Sequence, residues 1–201
     1  MMVHIPKFLC LIAAILLIGC KDVLTKPLAT VDRPTTPKSL EGHWVTEAKN
    51  EHLDIIKTKQ EDWYQFRWQQ QDKLTEGRFV VAHFKIKQVL NIDLASVKVN
   101  GNAVISDSQS AYLLLAAFLD DEEMELVPAD MERFEKYFSR YFYASPIMTG
   151  SLCLEKNSEC SATFNSGNML MSKRMKKFNE EFVKNYRWVF PHKKRVAFKR
   201  Q

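Results

Sequence analysis

The hydrophobic pattern changes character along the chain. Phe8 to Ile18 is an uninterrupted apolar run of eleven residues, residues 21–39 show no sustained period, and from Leu40 onward apolar and polar positions alternate in short stretches. Gly42 to Thr46 and Leu53 to Lys57 open that series. Trp63 to Gln69 then sets Tyr64, Phe66 and Trp68 on one face and Gln65, Arg67 and Gln69 on the other, the period of two expected of a half-buried strand. Arg78 to Ile86 and Gln88 to Leu94 continue the pattern, with Leu90, Ile92 and Leu94 sharing a face, and Val97 to Val104 contains the turn signal Asn-Gly-Asn. Tyr112 to Leu119 is apolar throughout; its length and its position before the strand-like Met124 to Val127 favour a strand over a helix.

Two segments carry a helical period. Asp130 is placed to cap a short helix with Met131, Phe134 and Phe138 at helical spacing, and Ser172 a second, with Met175, Phe178 and Phe182 as a core-facing stripe. After Pro191, Val196 to Lys199 reads as a terminal strand. The expectation is an α+β fold: an antiparallel β-meander or partial barrel with two helices packed on it. Its open edges require closure or cover.

The apolar run near the N-terminus follows His4 and Lys7 and ends in Leu17-Ile18-Gly19-Cys20. Eleven helical residues rise about 16 Å against a bilayer core of about 30 Å, so the run is too short to span. It fits the h-region of a secretory signal. Its ending resembles the lipobox of bacterial lipoproteins, which implies removal of residues 1–19 and acylation of Cys20. Lys21, where an Asp would favour the inner membrane, implies a lipid anchor in the outer membrane facing the periplasm. Residues 20–39, with three prolines and four threonines, read as the lipidated cysteine and a flexible tether, and residues 40–201 as a single globular domain.

That division sorts the four cysteines. Cys10 leaves with the signal, Cys20 is the anchor, and Cys153 and Cys160 remain; in an oxidising compartment such a pair reads as a disulfide. No Cys-x-x-Cys or spaced histidine set points to a metal.

Gly42-x-Trp44 at the head of the first strand of a lipid-anchored meander is similar to lipocalins and to the lipocalin-like domains of small bacterial lipoproteins. The resemblance implies a barrel, with an arginine near the chain end packed on the tryptophan; Arg195 and Arg200 hold suitable positions. It also implies an apolar interior, for which Trp44, Phe66, Trp68, Leu90, Ile92 and Tyr112 are the candidates.

Charge adds a second lead. The whole chain has a formal net charge of +5, yet residues 172–201 hold eleven Lys and Arg against two Glu. Arg187, Lys193, Lys194, Arg195, Lys199 and Arg200 form the candidate basic binding surface. In an exported protein, anionic lipid, lipopolysaccharide or an acidic protein is the expected partner rather than nucleic acid. No Gly-x-Ser-x-Gly, Walker loop or His-Glu-x-x-His occurs. The reading is a non-catalytic binding module of the envelope, possible roles including inhibition or immunity, without a cofactor; a carrier of an apolar ligand and an envelope hydrolase are the alternatives.

Overall fold

A computed structural model describes residues 21–24, 27–30, 39–48, 50–60, 62–85, 87–105, 111–142, 147–150 and 172–201. Its elements are β1 (Lys21–Leu24), β2 (Gly42–Thr46), β3 (Glu51–Lys57), β4 (Trp63–Gln70), β5 (Lys73–Phe84), β6 (Lys87–Val99), β7 (Asn102–Ala103), β8 (Tyr112–Leu119), β9 (Glu123–Pro128), α1 (Met131–Phe138), β10 (Ile147–Gly150), α2 (Ser172–Val189) and β11 (Val196–Arg200). The lipobox, Cys20 and the Cys153–Cys160 pair lie outside the described residues.

Eight strands close on themselves in the order β2-β3-β4-β5-β6-β8-β9-β11, every neighbouring pair antiparallel, with β11 returning to β2. The meander is therefore a complete lipocalin-like barrel, and closure removes the open edges that a partial one would keep. Tight turns hold it together: Gln71 at φ 51° joins β4 to β5, and Asn100 and Gly101 at φ 48° and 82° reverse the chain after β6. The side chain of Asn100 accepts from Leu74 N at 2.7 Å, which is how the Asn-Gly-Asn signal is used. The acidic run at Asp120 is the β8–β9 turn, with Asp120 Oδ1 accepting from Glu122 N and Glu123 N.

Alternation along the strands produces two cores. Inward positions such as Leu53, Phe66, Trp68, Phe79, Leu90, Ile92 and Leu115 fill the barrel. Outward positions on one side of the wall, among them Phe84, Val89, Leu114 and Val127, are equally buried because α1 and α2 cover them. Asp130 caps α1 by accepting from Arg133 N at 3.1 Å, as its sequence position suggests. Of the stripe expected on the second helix, Phe178 and Phe182 are in the core, Phe178 packing on Phe138 at 5.4 Å and Phe182 on Phe84 at 4.6 Å, whereas Met175, one turn earlier, is only half-buried. Tyr186 adds a bond from its hydroxyl to Gln88 O at 2.9 Å, and burial pushes its pKa up. A helix layer of this kind explains why β8 is apolar on both faces.

Part of the span read as a tether lies on the body. β1 pairs with β10 and, through Leu24, with Tyr112 of β8; Leu24 and Leu28 are buried in the helix-side core. Asn91, fully buried on the outer face of β6, accepts from Leu28 N at 2.7 Å and donates to Val80 O at 3.1 Å. Its amide serves as a clasp, since an outward-facing buried amide needs partners that the barrel wall alone does not supply. Nothing in residues 21–30 announced this, because two buried leucines in a proline- and threonine-rich stretch form no period.

Candidate functional site

Eight strands leave an interior that side chains just fill or that holds one small ligand. Here they nearly fill it. Phe66, Trp68, Leu90 and Ile92, all expected in the interior, surround a gap of about 40 Å³ together with Thr75, Phe79 and Leu113. A benzene-sized cavity is about 150 Å³, so an acyl chain would have to displace side chains. Close packing on Gly77 contributes to this. A Cβ there would lie 2.8 Å from the Phe66 ring, at the point where the β5–β6 register shifts.

Two residues expected inside behave differently. Trp44 is interior but stands away from the gap, whereas Tyr112 faces the helix layer. Tyr112 is out of phase with Leu113 and Leu115, which take the inward positions of β8. With both faces apolar, hydrophobicity alone could not assign its side.

Trp44 seals one end of the barrel. It is fully buried, donates from Nε1 to Leu40 O at 2.9 Å, and has the guanidinium of Arg200 4.5 Å over its ring. Arg200 also donates through Nη2 to Ser39 O at 2.8 Å, tying the last strand to the segment that enters the first. This is the tryptophan–arginine contact that the lipocalin resemblance implies, and Arg200 rather than Arg195 makes it.

No protein-family model, curated protein or solved structure matches the chain. The chemistry of the barrel and its surface must therefore be read from its own residues.

At the end of the barrel where β2 turns into β3 sits a buried acid that motif reading missed. Glu51 is 5% exposed, and its Oε2 accepts from Trp68 Nε1 at 3.0 Å and Gln70 Nε2 at 3.1 Å. Its place in phase with Leu53 and Ile55 was the available signal. Burial raises its pKa above the usual carboxylate value, against the opposing effect of the bonds from Gln70 and Trp68. Nearby, Thr75 is fully buried, and its hydroxyl has no hydrogen-bond partner among the described residues.

The raised pKa has a definite sign for stability. A carboxyl that binds its proton more tightly folded than unfolded costs stability where it is ionised, so this group's contribution improves as pH falls from neutral and levels off below the unfolded value near about 4.3. Glu51→Gln keeps an oxygen for Trp68 and removes the charge. Urea midpoints of wild type and variant should therefore converge in the wild type's favour as pH is lowered from 7 towards 4. Parallel pH curves would show that Glu51 is not the group responsible.

The basic surface is smaller in space than in sequence. β11 lies beside β9, and the pairing brings the two charge runs together: Arg195 Nη1 is 3.1 Å and His192 Nδ1 3.7 Å from Glu125, and Lys199 Nζ is 3.6 Å from Glu123. Arg200 is committed to Trp44. Charges distant along the chain are thus neighbours across two strands. Arg187 on α2 and Lys193 and Lys194 in the short turn after it remain exposed, with no ion pair to a described carboxylate.

Proposed function

We propose that this chain is a membrane-anchored lipoprotein of the cell envelope and a non-catalytic binding module, which takes a protein or an anionic envelope component on its outer surface. The observation that carries the reading is the contrast between a barrel interior with a gap of only about 40 Å³ and the exposed cations Arg187, Lys193 and Lys194 outside it. The lipobox resemblance supplies the anchor. An interior packed this closely has no room for a large ligand, whereas exposed cations retain their attraction for acidic groups.

The test is retention of envelope components on the immobilised protein, compared with the triple variant Arg187→Glu, Lys193→Glu and Lys194→Glu. Exposed substitutions of this kind change stability by only about 0.5 kcal/mol, so the variant should stay folded. Salt-sensitive retention of lipopolysaccharide or an acidic protein by the wild type, and its loss in the variant, is the expected outcome. Equal retention by both proteins would refute the assignment of this surface.

A further inference from the structure

The outer face of the helix layer has a composition of its own. Lys176, Lys177 and Lys184 point away from the buried stripe of α2, with Glu180 the acidic group among them; Glu181 at the margin pairs with Arg140 of the turn after α1. Trp188 is 58% exposed on the same helix, and Arg133 of α1 lies 5.8 Å from its ring while donating to its carbonyl at 3.3 Å. Tyr137, also exposed, extends the face across α1, whose own charges nearly balance: Arg133 pairs with Asp130 at 3.2 Å, and the helix carries Lys136 against Glu132 and Glu135. Exposed Trp and Tyr set among Lys and Arg are what a surface needs to sit at the headgroup level of an anionic bilayer: amphipathic rings at the interface and cations towards lipid phosphates.

Position in the fold chooses the bilayer over other anionic partners. β1 begins at Lys21, directly after Cys20, and it packs against α1 with Leu24 buried beneath the helices. Cys20 immediately precedes that strand in the sequence, so an acylated Cys20 would hold the folded body close to the bilayer rather than at the end of a long free chain. We infer that the outer face of α1 and α2 docks on the anionic bilayer that holds the anchor, and so fixes which way the barrel faces. The inference rests on the lipid anchor of the proposed function and names lipid as the partner of this one face, while Lys193 and Lys194 stay available to other components.

The experiment uses the full lipidated protein isolated from membranes and reconstituted into vesicles of phosphatidylglycerol and phosphatidylethanolamine containing brominated acyl chains, which quench tryptophan at the interface. Trp188 should be quenched, the quenched component should vanish in Trp188→Phe, and it should fall in the double variant Lys177→Glu, Lys184→Glu or in neutral vesicles, because each basic group near an anionic surface shifts docking about fivefold. Thermal melts identify any variant that fails to fold, and Trp188→Phe, at an exposed position, keeps the test decisive if the double variant does. Reversal of Lys193 and Lys194 should leave the quenching unchanged. Co-flotation with the vesicles without a Trp188 component overturns the docking face alone. Absence of both fatty-acid label and co-flotation removes the anchor, and with it this inference.

Discussion

Trp44→Ala is expected to lower the stability of the domain by about 3–5 kcal/mol, as other buried Trp truncations do. The residue is fully buried, and its removal empties the end of the barrel, leaves Leu40 O without its indole donor and leaves Arg200 over a void. Domains of this size are stable by about 5–15 kcal/mol, so the loss is a large fraction of the total. Urea unfolding should show a much lower midpoint with little change in slope. Trp44→Phe, which keeps a ring for Arg200 but not the indole N–H, should lose less. A double-mutant cycle with Arg200→Ala should be non-additive, because each residue's packing depends on the other. A loss below about 1 kcal/mol on Trp44→Ala would mean that this end is not closed by the tryptophan.

Cys20→Ala is expected to abolish acylation and move the protein from the membrane fraction to the soluble one. Each buried CH₂ contributes about 0.8 kcal/mol to membrane attachment, so two or more chains make attachment effectively permanent and their loss is close to all-or-none. Metabolic labelling with a clickable fatty acid, followed by fractionation, reads both effects. The strand that begins one residue later pairs through its own backbone, so the substitution should leave the urea midpoint of the folded body unchanged. That separates loss of the anchor from loss of the fold. Continued labelling of the variant would place the acyl group elsewhere.

Where one strand face is apolar and the other polar, sequence and structure agree closely. Tyr64, Phe66 and Trp68 share a face because Gln65, Arg67 and Gln69 occupy the solvent side, and Leu90, Ile92 and Leu94 share the interior in the same way. The terminal strand and both helices were legible from Pro191, Asp130 and the phenylalanine stripe. Barrel closure was not, because the decisive pairings are β11 with β2 and β8 with β6, contacts between segments far apart in the chain.

Other features lay outside what periodicity can carry. Tyr112 could not be assigned a side because Leu113, Leu114, Leu115 and Ala116 leave both faces of β8 apolar, and only the helices covering the wall explain why. The docked segment at Leu28 is held by contacts distant in sequence, the Asn91 amide across 63 positions and Thr30 against Val81 and His83. The basic C-terminal surface reads as a run in sequence, yet Arg195 and Lys199 alternate towards Glu125 and Glu123 on the neighbouring strand. Glu51 is the opposite case: its phase with Leu53 and Ile55 is enough to mark an inward position, although no motif includes it.

Export and lipidation are the shared premise of the proposed binding surface and the proposed bilayer face, so the most direct test is the intact mass of the mature chain extracted from membranes. The expected species begins at Cys20, carries the added mass of acyl chains, and gains two hydrogens on reduction if Cys153 and Cys160 are bridged. A chain that retains residues 1–19, or one that starts beyond Cys20 with no acyl mass, would contradict the lipoprotein reading and everything placed on it.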